Sequence, residues 1–236
     1  MFAMNLARVA CLVLIGNTLV LQASDVEGEI VITQRLSKKK VTPTASSYSR
    51  GVVVDLKTSA GEDILELERS RVVIYLEGKL PTRAGSAEIV QEGRQFLPDT
   101  VVIPAGSSVT FPNHDPIFHN VFSLSKAKTF DLGNYPRNHS RSVTFPSAGV
   151  VFVHCHLHPN MAAAILVAPN SYAVTANKSG RFSLRNVPPG EYTAVAWHRG
   201  AGFFRQHIKV TADRGATLQF LIPLAPDTGG TAIARK

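Results

Sequence analysis

Cysteine is nearly absent from this chain, which contains two cysteines in 236 residues. Residues 1–23 have the pattern of a secretory signal, because Arg8 is their only charge, an apolar run follows it, and Ala23 is a small residue at the end. Cleavage there would leave Cys155 as the only cysteine. A lone cysteine in an exported protein cannot form an internal disulfide, so it is a free thiol, an intermolecular partner or a metal ligand.

Long apolar runs are also scarce. The run over residues 9–21 is short for a membrane span and is interrupted by Gly16, Asn17 and Thr18. An uncleaved membrane anchor is therefore the weaker alternative to a cleaved signal. We expect the mature chain to be periplasmic.

Acidic residues are few in the C-terminal third. Residues 24–86 carry ten Lys/Arg against nine Asp/Glu, residues 87–170 five against five, and residues 171–236 nine against three, a net +6. The basic third predicts either a docking face for an acidic partner, lipid or envelope glycan, or a merely solvated surface. Nucleic acid is not an expected partner, because the chain has an export signal and no motif for it.

Helical periodicity is weak throughout the chain. Short segments rich in β-branched and aromatic residues, such as "RVVIYLEG", "TVVIPAG" and "EYTAVAW", recur every 8 to 12 positions between turn residues. This pattern predicts an all-β protein built of sandwiches or barrels. Only "ELERSR" at residues 66–71 suggests a helical turn, and residues 226–236 are predicted to be a loose tail.

One nine-residue stretch, "VHCHLHPNM" at residues 153–161, concentrates sulfur and imidazole donors. Strand alternation directs Cys155 away from the histidine on either side of it. Pro159 then forces a turn, which allows His158 and Met161 to fold back toward Cys155. A further donor has to come from elsewhere, and "FPNHDPIFHNVFSL" offers His114 and His119, of which His119 directly precedes a strand-like run.

A cysteine, two histidines and a weak methionine are the ligands of a mononuclear blue-copper centre. Structural zinc is a weaker alternative, since zinc rarely recruits methionine and no second cysteine is available. A catalytic Cys/His pair is another, but it needs an orienting third group and an open cleft, which nothing in the sequence suggests.

The stretch "FPNHDPIFHNVFS", followed by "VHCHLHPNM", resembles the cupredoxins, and in particular their plastocyanin and amicyanin-like members. The resemblance covers residues 87–170 and implies a Greek-key β-sandwich with one copper ion. It further implies that His119, Cys155 and His158 are the strong equatorial ligands and Met161 the axial ligand. Asn120 matches the family residue that ties the two ligand loops together.

Three histidines match no ligand of that family: His114, His154 and His156. We interpret His154 and His156 as surface or packing residues, with a weaker metal site formed by His156 and His114 as the alternative. Residues 127–145 are predicted to form a loop beside the site that could alter access to it. Asp115 is the nearest acidic residue that could add a ligand.

The flanking segment "YAVTANKSGRFSLRNVPPGEYTAVAWHRG" resembles the carboxypeptidase regulatory-like, or transthyretin-like, β-sandwiches. Strands typical of the start of such a domain, "GEIVI" and "RVVIYLEG", precede the copper segment instead. We therefore predict one sandwich from residues 24–86 and 171–225, with residues 87–170 inserted, and a tandem arrangement as the alternative. The combination resembles bacterial exported proteins of the methylamine-utilisation or plastocyanin-like kind.

The resemblance implies a one-electron carrier that exchanges electrons with a redox partner such as a cytochrome or dehydrogenase. An enzyme is not expected, because Met161 would occupy the position that a substrate needs. The alternatives are a copper-delivery protein without a redox circuit, or an envelope or glycan-binding module with an accessory copper site. An uncharged docking patch is predicted around His158 from Pro159, Ala162, Ala163 and Ala164.

Overall fold

The computed structural model describes residues 23–33 and 63–222. Within them the chain is nearly all β, as predicted, with one short helix, α1 (Ile64–Ser70). The strands are β1 (Ser24–Val31), β2 (Val73–Glu77), β3 (Ser86–Glu88), β4 (Val90–Glu92), β5 (Gln95–Leu97), β6 (Thr100–Pro104), β7 (Ser107–Pro112), β8 (His119–Ser125), β9 (Lys128–Tyr135), β10 (Ser140–Phe145), β11 (Gly149–His154), β12 (Ala162–Ala168), β13 (Ala173–Thr175), β14 (Arg181–Val187), β15 (Gly190–His198), β16 (Gly202–Val210) and β17 (Ala216–Leu221).

Strands from both ends of the described chain form one sandwich, here called the terminal sandwich. One of its sheets has the order β14-β1-β17 and the other β13-β2-β15-β16. Strand β1 pairs antiparallel with β14 and parallel with β17. Alternate residues of these strands point inward, so that Val26, Ile30, Ile74, Leu76 and Phe220 are buried in a common core.

The strands between them form the central sandwich. Its sheets have the orders β10-β7-β3 and β6-β12-β11-β8-β9, with the short hairpin β4-β5 beside them. Phe111, Phe145 and Ile165 lie fully buried in its core, and that core also contains Cys155 and Met161. The metal-ligand candidates therefore sit at the end of an apolar core.

Strand β12 is buried on both faces, which joins the two sandwiches. Ile165 belongs to the core of the central sandwich, whereas Ala164 and Leu166 pack in a separate apolar cluster with Val195 and Trp197 of the terminal sandwich. A strand buried on both faces reads as a continuous apolar run, as "AAAILVA" does.

Helix α1 and the residue after it make polar contacts near the junction between the two sandwiches. Asp63 caps its first turn by accepting a hydrogen bond from the backbone N–H of Leu65 at 2.9 Å. Glu68 is fully buried, with its carboxylate 3.0 Å from Nε2 of His198. The residue after the helix, Arg71, forms an ion pair with Asp99, which precedes β6. The helical turn suggested by the sequence is thus a seven-residue helix.

Residues 127–145 are not a loop, contrary to the sequence-based prediction. They form β9 and β10 joined by a short turn, and β9 pairs with β8 while β10 pairs with β7. Both strands have an exposed face, which carries polar residues, and one strand contains a bulge with a glycine. The apolar alternation that marks a strand in the sequence is therefore weak here.

Some sequence predictions lie outside the described residues. These are the signal segment before Ala23, the strand-like run "GVVVDL" and the C-terminal tail. Among the described residues, no helix has the length and apolar character needed to cross a membrane.

Candidate metal site

The ends of two neighbouring strands and one loop position the candidate ligands. His119 is the first residue of β8, and Cys155 directly follows β11. Val151 and Val153 are buried in β11, so the alternation continues inward to Cys155. His158 lies in the loop before β12, where its carbonyl accepts a hydrogen bond from the N–H of Met161 at 2.9 Å.

Three ligand atoms converge at this point. Nδ1 of His119 lies 3.0 Å from Nδ1 of His158, and Sγ of Cys155 lies 3.7 Å from the same His158 nitrogen. All three donor atoms lie within 4.8 Å of one another. A tetrahedral ion held about 2.0 Å from nitrogen and about 2.3 Å from sulfur separates such donors by roughly 3.3 to 3.6 Å. The geometry therefore fits one soft or borderline metal ion without a large rearrangement.

Burial is uneven across the donor group. His119 is fully buried and Cys155 is 4% exposed, whereas His158 is half-buried. Burial lowers the pKa of the His158 imidazole, and the neighbouring His119 and Arg94 lower it further. The neutral imidazole that binds metal is thereby favoured at the edge that faces solvent.

The fourth candidate ligand, Met161, is a residue of the apolar core. Its side chain is 1% exposed and belongs to the same apolar cluster as Cys155. The thioether is thus held in the apolar core, and its role as a ligand stays a prediction.

Asn120 connects the two chain segments that carry the donors. Its backbone N–H donates to Sγ of Cys155 at 3.4 Å, and its side-chain oxygen accepts from the N–H of His156 at 3.4 Å. The residue that follows His119 therefore contacts both Cys155 and the residue after it. Hydrogen bonds to a ligating sulfur orient it and modify its charge.

Asp115 lies on the outer side of His119 and is not part of the donor group. Its Oδ2 is 2.7 Å from Nε2 of His119, and its carboxylate accepts backbone N–H groups of Gly93 and Arg94. Burial raises the pKa of Asp115, but these hydrogen bonds outweigh it and lower the pKa overall. Because Nε2 is occupied, Nδ1 of His119 is directed at the site. The sequence analysis named Asp115 only as the nearest acidic residue that could add a ligand, and it missed this role as a hydrogen-bond partner of His119.

The three histidines that match no family ligand are not part of the donor group. The ring of His156 stacks on Phe122, with centroids 3.7 Å apart, and His154 lies 5.9 Å from the same ring. His114 is exposed, and its N–H donates to the carbonyl of Gln91. The one group of three or more metal-binding side chains within the described residues includes none of these histidines.

The surface around His158 differs from the predicted docking patch. Ala163 and Ala164 are fully buried, because β12 is covered on both faces, so the prediction was wrong for them. Phe118 and Leu157, which directly precede His119 and His158, are 56% and 45% exposed. Pro159 is also exposed and Ala162 is partly exposed, so the apolar surface at the site includes these two residues beside the two larger side chains.

Comparisons with known proteins give partial likenesses. The family model "Polysaccharide lyase family 4, domain II" matches residues 167–218, which lie in the terminal sandwich apart from the end of β12. No curated protein sequence matches the chain.

Similar solved structures are copper proteins. An amicyanin variant in its Cu(I) form has 19% identity and a TM-score of 0.33 over 40% of this chain and 97% of its own. A purple cupredoxin from Nitrosopumilus maritimus has 24% identity and a TM-score of 0.31 over 34% of this chain and 98% of its own. A copper-containing nitrite reductase from Thermus scotoductus has 22% identity and a TM-score of 0.33 over 39% of this chain, but the match spans only 23% of the reductase.

Proposed function

We propose that the chain is an exported mononuclear copper protein that carries single electrons. The observation that supports this most directly is the convergence of one thiolate and two imidazole donors, Cys155, His119 and His158, at the end of an apolar core. Thiolate and thioether donors favour Cu(I), and imidazole suits both oxidation states. Bound copper would supply the one-electron couple, with Met161 as the weak axial ligand.

The protein's own contribution is to restrain the donors. Asp115 holds the ring of His119, Asn120 donates to Cys155, and the core encloses Met161. A site that both oxidation states can use without rearrangement exchanges electrons quickly, because little structure has to change during transfer.

The proposed route for electrons is the His158 edge. His158 is the donor that faces solvent, and Phe118 and Leu157 present apolar surface there. We propose that a redox partner such as a cytochrome or dehydrogenase docks at this face. We also propose that the chain is not an enzyme, because an axial methionine would close the position that a substrate requires.

The domain arrangement that we propose is an insertion. Strand β1 pairs with β14 and β17, and strand β2 pairs with β13 and β15. These pairings between early and late strands support a sandwich that is interrupted by residues 87–170. Periplasmic location rests on the signal-like residues 1–23 alone.

The deciding experiment is a visible absorption spectrum of the copper-loaded protein, with Cys155→Ser as the matched variant. We expect an intense band in the red from thiolate-to-copper charge transfer in the parent and its loss in Cys155→Ser, while circular dichroism shows the β fold retained. A parent protein that binds copper without this band and without redox activity would instead favour metal delivery. A band that survives in Cys155→Ser would contradict the blue-copper assignment.

A further inference from the structure

A β-bulge places an acidic side chain next to Asn120. Strands β8 and β9 pair in register at Asn120 and Asn134 and again at Phe122 and Asp131, so two residues of β9 lie opposite Val121. Gly133, within the bulge, has a φ of 65°, a left-handed conformation that favours glycine. Bulges of this kind redirect a neighbouring side chain.

The carboxylate of Asp131 is held in one place. Its Oδ1 accepts the backbone N–H of Gly133 at 2.8 Å and the side-chain Nδ2 of Asn120 at 2.7 Å. Its Oδ2 lies 3.6 Å from Nε2 of His156, whose ring is stacked on Phe122. Asp131 thus bridges the bulge, Asn120 and the residue after Cys155.

This bridge determines the orientation of the Asn120 amide. An ionised carboxylate only accepts hydrogen bonds, so the NH₂ group of Asn120 has to face Asp131. The Asn120 oxygen then faces the N–H of His156, which it accepts at 3.4 Å. With its side chain tied at both ends, Asn120 presents its backbone N–H to Sγ of Cys155 at 3.4 Å.

We propose that Asp131 is a positioning residue for the metal site, which acts through Asn120 to maintain the N–H···S hydrogen bond to Cys155 and thereby raises the reduction potential of the bound copper. This inference rests on the proposed function. A thiolate gives less charge to Cu(I) than to Cu(II), so its sulfur is more negative in the reduced state. A hydrogen bond to that sulfur therefore stabilises the reduced state more than the oxidised one.

The charge of Asp131 acts in the opposite direction, and this allows the two effects to be separated. Removing a negative charge near copper makes Cu(I) relatively more stable and raises the potential. Asp131 is more than half exposed, so this charge effect is weak and screened by salt. Loss of the hydrogen-bond acceptor lowers the potential at any salt concentration.

The test compares Asp131→Ala with Asp131→Asn in the full chain loaded with copper. Asp131→Asn retains an oxygen for both Gly133 and Asn120, so we expect a potential equal to the parent value or slightly above it. Asp131→Ala has no acceptor, so we expect a shifted red absorption band and a potential below that of Asp131→Asn. The difference between the two variants should be independent of salt, because both lack the charge. Glu88→Ala, which removes an exposed carboxylate on β3, is the control and should change neither.

A second measurement uses the metal-free protein. The backbone N–H of Asn120 should exchange with solvent about fivefold to tenfold faster in Asp131→Ala than in the parent, because one hydrogen bond contributes about 1 kcal/mol. Exchange at Val109, in the opposite sheet, should remain unchanged.

The outcomes distinguish this inference from the proposed function. A parent protein without the red band overturns the copper-carrier proposal and this inference with it. A parent with the band, but with an Asp131→Ala potential equal to or above that of Asp131→Asn, overturns the role of Asp131 alone.

Discussion

At the scale of single residues, histidines close together in sequence have different surroundings. His119 is buried between Asp115 and the other two donors, whereas His158 reaches the surface. His156, two residues before His158, stacks on Phe122 instead. The difference follows from strand alternation up to Cys155 and from the turn after it, since these direct neighbouring side chains to opposite faces of one sheet.

The axial position can be tested by one substitution. Met161→Gln should retain coloured copper but lower the reduction potential, because a harder oxygen donor favours Cu(II). Cyclic voltammetry of the parent and the variant measures the shift. Leu157→Gln, which introduces the same amide on the exposed loop, is the matched control and should leave the potential near the parent value. An unchanged potential in Met161→Gln would mean that the thioether does not reach the metal.

At the scale of secondary-structure elements, β12 contributes to two apolar clusters. Its odd-numbered residues face the core that contains Cys155, and its even-numbered residues face Trp197 and Val195. The same strand thus begins directly after Met161 and supports the contact between the sandwiches. Packing at the interface and geometry at the metal site are consequently carried by opposite faces of one strand.

This separation predicts the effect of Leu166→Ala. Leu166 is 2% exposed in the cluster between the sandwiches, so its truncation should lower the free energy of unfolding by about 2 to 5 kcal/mol. The absorption band of the copper-loaded protein should not change, because Leu166 faces away from Cys155. Chemical denaturation measures the stability, and Leu124→Ala, at a side chain that is 79% exposed, is the control. A loss no larger than that of the control would show that the sandwiches do not depend on each other through β12.

At the scale of the whole molecule, the basic residues of the C-terminal third differ in their surroundings. Arg181 and Arg185 are exposed on β14, and Arg205 is exposed on β16, where it pairs with Glu77. Arg199 is half-buried, and burial lowers its pKa while Asp99 raises it. Arg199 is therefore not one of the fully exposed cations that could form a docking surface.

The exposed cations can be tested for a role in anchoring. If they attach the protein to an acidic envelope surface, binding to anionic lipid vesicles should weaken as salt rises, since the screening length is about 10 Å at 0.1 M. Substitution of Arg181, Arg185 and Arg205 by glutamine should weaken binding and leave the copper spectrum unchanged. The control replaces three exposed cations elsewhere, Arg83, Lys126 and Arg137, by glutamine. Equal binding by both variants at every salt concentration would mean that the basic third is only a solvated surface.

Local chemistry was readable from the sequence. The all-β class follows from short β-branched segments between turn residues, and the structure confirms it. Donor type and the turn at Pro159 point to Cys155, His158 and Met161, and the resemblance to the cupredoxins implies His119 as the remaining ligand. The structure brings the three stronger donors together, and their binding of copper stays a prediction.

Features that depend on distant segments were decided by tertiary structure. Ala163 and Ala164 look like surface residues beside His158, but whether a strand face is exposed depends on which other sheet covers it. Asp131 reaches Asn120 only because a bulge shifts the register of β9 against β8. Period-two alternation specifies which residues share a face of a strand, whereas the packing of sheets and the register between strands determine what that face contacts.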